Sequence, residues 1–126
     1  MLALLASNVY PAQSSHAPPA HRCTRHRSRR CIVSNIENVT QSHIHIAPKG
    51  VNGPVVVFLF GFVAGGVTEN GLLAEGTITQ SDLIARPAIG FGATMAELIA
   101  AMRSGNAYVN VHTVALPAGG VRGQVR

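Results

Sequence analysis

From Cys31 onward the chain breaks into short β-patterned segments separated by glycine- and proline-bearing turns, a rhythm that points to an all-β domain. Residues 32–36 are rich in β-branched side chains and the pattern breaks at Glu37-Asn38. Ser42-His43-Ile44-His45-Ile46 alternates with period two, which puts both histidines on one face of a strand and both isoleucines on the other. Val55–Phe60 is an unbroken apolar run too short for a typical helix, so it predicts a central strand buried on both faces. Residues 72–78 predict a further strand with Glu75 and Thr77 outward, and 108–113 and 121–125 predict two more. Pro48-Lys49-Gly50, Asn52-Gly53-Pro54, Gly65-Gly66, Asn70-Gly71 and Pro117-Ala118-Gly119-Gly120 supply the turn chemistry between them.

One α-helix interrupts this pattern. Thr94 with Glu97 three residues later has the form of a capping box, Met95, Leu98, Ile99 and Met102 follow at helical spacing, and Gly105 stands beyond as a stop. That apolar stripe reads as core rather than as a groove for a partner. A shorter helical turn is expected to start at Ser81 or Asp82 and to end before Pro87.

Length and composition bound the domain count. A chain of 126 residues supports one hydrophobic core, and 47% apolar with only 12% charged residues argues against disorder over most of it. The formal charge of +5 is local: Arg22, Arg25, Arg27, Arg29 and Arg30 carry half of the ten basic side chains. All the acids, Glu37, Glu69, Glu75, Asp82 and Glu97, come later and balance the remaining bases. The folded part is therefore neutral, and no nucleic-acid contact is expected of it. Residues 1–30 read as a disordered basic, proline- and serine-bearing arm, and 31–126 as the domain. The opening Met-Leu-Ala-Leu-Leu-Ala resembles the start of an export signal but has no basic residue before it, while the acid-free arginine stretch resembles an organelle transit segment. A non-functional or wrongly assigned start of the chain, and an arm that contacts nucleic acid or another acidic surface through Arg22 to Arg30, are the other readings of this stretch. No apolar run reaches the 18 residues of a transmembrane helix. Cys23 and Cys31 are read as unrelated thiols, with a small loop disulfide as the alternative.

The phrases Ser42-His43-Ile44-His45, Gly50, Asn52-Gly53-Pro54-Val55-Val56, Ser104-Gly105-Asn106, Ala107-Tyr108-Val109-Asn110-Val111-His112-Thr113 and Arg122-Gly123-Gln124 occur in an order and spacing similar to the CHRD domain, the module named after chordin. The resemblance covers roughly residues 31–125. It implies an immunoglobulin-like or superoxide-dismutase-like antiparallel β-sandwich with one short helix in a crossover. It also implies a non-enzymatic structural or interaction module, secreted or envelope-associated, whose partner is a protein or an extracellular-matrix component. Two departures stand out. The family pattern usually begins with two more strands where this chain has the arginine-rich arm, which would leave a sheet edge open. Its final turn usually carries an acid two positions before the arginine matching Arg122, where this chain has Gly120, so the ion pair that acid would make is missing.

His43 and His45 carry the sharpest chemical hypothesis. Two imidazoles at i and i+2 on one strand stand roughly 7 Å apart at Cα, and His112 from another strand would complete a three-histidine copper or zinc site. The His-x-His pair is similar to that of copper-zinc superoxide dismutase, but no zinc-bridging His and Asp set and no fourth ligand accompany it, and His16, His21 and His26 lie in the arm. The reading preferred from sequence needs no cofactor: neutral rings that bond loop backbone and brace the sandwich. Metal binding, or a superoxide-dismutase-like protein, is the alternative. Asn52 and Asn110 are taken to satisfy backbone groups rather than to line a pocket. Asn38-Val39-Thr40 is an N-glycosylation sequon, with meaning only in a eukaryotic secretory path. No nucleophile elbow, phosphate loop or acid pair is present, so no enzymatic reaction is expected.

Overall fold

A computed structural model describes the backbone of residues 2–5, 20–26 and 28–125, and side chains from Arg30 to Val125. It is an all-β sandwich built around one long strand. Strands β1 (Leu2–Leu5), β2 (Ala20–His26), β3 (Ser28–Ile46), β4 (Val55–Phe60), β5 (Val67–Gly76), β6 (Ala107–Thr113) and β7 (Val121–Gln124) are joined by antiparallel pairing throughout. Helix α1 (Met95–Arg103) lies in the connection between β5 and β6. The first half of β3 runs between β2 and β5, and its second half between β4 and β6, with β7 beyond β6. β3 thus belongs to both layers.

The break expected at Glu37-Asn38 is a bend within a continuous strand. Asn35 and Asn38 adopt positive φ, 54° and 52°, a region that asparagine tolerates better than most residues. At each of them β3 advances three residues while β5 advances two, from Val33 to Ile36 and from Ile36 to Val39. Against β6 a further residue, Thr40, is inserted between Val39 and Gln41. These are β-bulges, and each reverses the in-out phase of the residues beyond it. Cys31, Val33, Ile36 and Val39 therefore all reach the core, and so do Ser42 and Ile44. Three insertions invert the parity: odd-numbered residues point inward before the bulges, whereas His43 and His45 point to the opposite face.

Other expectations are corrected in detail. β5 starts at Val67, five residues earlier than the pattern predicted, and absorbs the expected Asn70-Gly71 turn as an irregularity in the strand. β4 has the predicted limits, but it is not buried on both faces: Phe58 is 47% exposed, while Val56, Val57 and Leu59 are buried. Two extra residues in β4, Val56 and Leu59, turn inward at its own bulges against β3. The helix begins as predicted. Thr94 Oγ1 accepts from the Glu97 N–H, and the Glu97 carboxylate accepts from the Thr94 N–H. Leu98 and Met102 then bury against the sheet beside Phe91, Val109 and Val111. A 3-10 turn at Gln80–Asp82 and another at Pro87–Ile89 stand where one short helical turn was expected.

Much of the expected arm lies outside the described residues. Where its backbone is described, β1 pairs with β2 and β2 with β3, and the register sets Cys23 opposite Cys31, which is buried in the core.

The bend at Asn38 depends on close backbone approach. Gly66 has φ +73°, and a Cβ there would overlap the Asn38 carbonyl, whereas Gly50 at φ +83° faces open space. Gly50→Ala is expected to cost about 1 kcal/mol, for the left-handed backbone alone. Gly66→Ala adds a clash with backbone, and should cost at least about twice as much. Urea unfolding of the two variants side by side checks this; equal losses would mean that the approach at Asn38 does not hold the bend.

Candidate metal centre

The outer face of the second layer is where the bulges place the histidines. Register pairs His43 with Asn110, His45 with Tyr108 and Gln41 with His112, so residues of β3 and β6 alternate onto one surface. Tyr108, Asn110 and His112 share it with His43 and His45. An outer sheet face is ordinarily wet, yet the three imidazoles are only 4%, 8% and 7% exposed. Two turn loops account for this burial. The Gly53 carbonyl accepts from His45 Nδ1 at 2.8 Å, and the Pro117 carbonyl accepts from His112 Nδ1 at 2.8 Å. Phe58 closes a further side, edge-on to His43 with ring centroids 4.5 Å apart.

Those carbonyls assign the ring protons. A carbonyl oxygen only accepts, so Nδ1 of His45 and of His112 each carry a proton, and the lone pair of each ring sits on Nε2. His43 Nδ1 lies 3.2 Å from His112 Nε2, so His43 donates there and its own lone pair also falls on Nε2. Nε2 of His43 and Nε2 of His45 are buried and have no hydrogen-bond partner among the described residues, and neither has Asn110 Oδ1. Buried acceptors without partners are uncommon and costly. One ligand nitrogen from each histidine lies within 4.8 Å of the others. Donors about 2.0 Å from one ion stand roughly 3.3–3.5 Å apart, so a small inward shift of the rings would bring all three onto one ion. The donor set thus fits a transition-metal ion such as copper or zinc, with Gly53 and Pro117 orienting two of the rings from behind.

Electrostatics keep the rings in the ligand form. Burial, followed by the neighbouring His112 and His45, lowers the His43 pKa from 6.5 to about 4. Burial also lowers that of His45; the Gly53 carbonyl opposes the shift, and His112, Arg122 and Arg86 reinforce it. Both rings are neutral at pH 7 and keep their lone pairs.

Arg122 and Tyr108 complete the site, although neither was named as a site residue from sequence. Arg122 lies 3.5 Å over the Tyr108 ring, and His45 stacks on Tyr108 at 4.8 Å with planes 11° apart. In place of the missing acid, Arg122 donates to Asn52 Oδ1 and to the carbonyls of Pro48 and Val51. Tyr108 Oη accepts from the Gly53 N–H. The alternation Tyr108-Asn110-His112 was the available signal for a polar face on β6. Asn110 serves backbone, as expected, by donating to the Ala118 carbonyl, and its amide fills the space a Cβ on Gly119 would need, whereas Asn52 was expected to do the same and instead holds the Arg122 side chain. Asn38 is exposed on its bulge, in a different part of β3, and its sequon partner Thr40 is buried.

The depressed histidine pKa values predict acid-sensitive stability. The unfolded chain takes up a proton near pH 6.5, but folded His43 does so only near pH 4. Its contribution is present above pH 6.5 and is lost as pH falls toward 4, with a slope of up to about 1.4 kcal/mol per pH unit. Unfolding free energies between pH 7.5 and 4.5 should fall more steeply for the wild type than for His43→Phe, which has no ring to protonate. Parallel curves would refute the assignment.

A search of curated proteins and a search of solved structures each gave no match. The family model for the CHRD domain matches residues 25–125. It spans most of the chain, including β3, both histidine-bearing strands and the loops that bury the rings, and on that match this protein belongs to the CHRD domain family.

Proposed function

We propose that this CHRD domain binds one transition-metal ion, copper or zinc, through His43, His45 and His112. The observation that carries the reading is the convergence of three buried imidazoles, two of which present lone pairs that nothing among the described residues satisfies. An ion engaging the free Nε2 atoms of His43 and His45 would remove the cost of those orphaned acceptors, and His112 Nε2 would join it by giving up the His43 Nδ1 proton. The sequence reading of rings that brace loops is compatible with this, because His45 and His112 spend Nδ1 on loop carbonyls and keep Nε2 for a ligand. The role we assign is structural rather than catalytic. Loops 47–54 and 114–120 and Phe58 enclose the rings, whereas catalytic metal sites keep a position open to water or substrate.

We further place the domain outside the cell as an interaction module for a protein or matrix partner. What supports contact with a partner is a pair of exposed aromatics at the end of β4, Phe58 at 47% and Phe62 at 68% exposure. The secreted setting rests on the family alone.

Calorimetric titration of the full chain with copper(II) and zinc(II) tests the metal reading. One ion per chain is expected, with binding abolished in the His43→Ala, His45→Ala double variant while circular dichroism shows the fold intact. Metal at a hundredfold excess over its Kd should add about 2.7 kcal/mol of stability to the wild type only. Equal binding by wild type and double variant would assign the ion to the arm histidines and sink the proposal.

A further inference from the structure

Charge discriminates between ions at this cluster more sharply than donor type does. All three donors are neutral ring nitrogens, and no carboxylate or thiolate joins them among the described residues. Three of the five acids are engaged elsewhere: Glu75 pairs with Arg30, Glu97 caps α1 and Asp82 accepts from Thr79. Positive charge stands beside His45: Arg122 lies over Tyr108, the ring on which His45 stacks, and Arg86 bonds the carbonyl of Val55, the residue paired with His45. Arg122 is held in place by Tyr108 and three oxygens of the 48–52 loop, and Arg86 by its Nε–H donating to the Val55 carbonyl at 2.6 Å. Neither can swing away without losing those bonds.

Stripping water from an ion costs free energy in proportion to the square of its charge, so a divalent ion costs about four times as much as a monovalent ion of similar radius. The three imidazole dipoles attract a divalent ion about twice as strongly as a monovalent one, which offsets only part of that fourfold cost. Two arginines repel the divalent ion about twice as strongly. Zinc(II) also favours four ligands, one more than the cluster supplies, whereas copper(I) is satisfied by two or three nitrogen donors. From these terms we infer that the three-histidine cluster is selective for copper(I) over zinc(II), an inference that rests on the metal-binding reading of the same site.

The test uses the full chain carrying Cys23→Ser, so that no arm thiol competes for copper. Copper(I) affinity is measured anaerobically by competition with a chromogenic copper(I) chelator, zinc(II) affinity by competition with a zinc dye, and each is assigned to the cluster by its loss in the His43→Ala, His45→Ala variant. Copper(I) should bind at least about a hundredfold more tightly than zinc(II). Arg86→Gln, with its fold checked by circular dichroism, should narrow that ratio several-fold by strengthening zinc(II) binding. Zinc(II) binding as tight as copper(I) in the wild type would overturn the charge argument and leave the metal site standing. Failure of both ions to bind at the histidines would overturn both.

Discussion

The bend in β3 is the constraint on which the rest of the molecule depends. One strand of 19 residues serves two layers, and it does so because residues are inserted near Asn35, Asn38 and Thr40. Each insertion lets the strand turn while its next apolar residue still faces the core. The cumulative result is a change of parity along one strand. With an even number of insertions, His43 and His45 would project into the apolar core beside Val109 and Val111. Two more polar side chains would then be buried where no loop carbonyl reaches them.

Burial of the histidines has a different origin from burial of the core. Val33, Val57, Val109 and Val111 are removed from water by the opposite layer and by α1. His43, His45 and His112 are removed by short turns that fold back over the outer face, and the Nδ1 atoms of His45 and His112 are satisfied by backbone carbonyls of those turns. The glycines make this possible. A Cβ on Gly53 would overlap the Ile46 carbonyl, and one on Gly119, at φ +120°, would overlap the Asn110 amide. The loops are further tied to the strands beside them, the 48–52 loop to β7 through Arg122 and the 114–120 loop to β6 through the Gly120 N–H on the Val111 carbonyl. The site is therefore part of the sandwich, with its donors fixed before any ligand arrives.

Such preorganisation has an energetic consequence. Two imidazole lone pairs and an asparagine oxygen are desolvated without partners among the described residues, a cost of about 1–3 kcal/mol for each such group. Acid does not relieve it readily, because burial and the neighbouring rings oppose protonation of His43 down to about pH 4. Burial, neutral donors and nearby arginines together make the pocket a poor host for a proton, and a doubly charged ion is costlier to place there than a singly charged one. A soft, singly charged ion meets the fewest of these penalties.

Local patterns in the chain were enough to establish the all-β class, the turns, the capped helix at Thr94 and the shared face of His43 and His45, because period-two alternation and capping chemistry act over a few residues. His112 could be nominated as a third ligand from its strand alone. Which face those residues occupy was not legible, since three bulges invert the phase of β3 and no local signal counts them. The extension of β5 back to Val67 was hidden for the same reason: its pairing partners at Ile36 and Val39 are about thirty residues away. Likewise Tyr108, Arg122 and the carbonyls of Gly53 and Pro117 became part of the site only when β6, β7 and two loops were brought together. Sequence by itself determined which groups have metal-ligating chemistry; tertiary structure decided that they converge, are dry and keep their lone pairs, because convergence and desolvation are properties of contacts between distant segments.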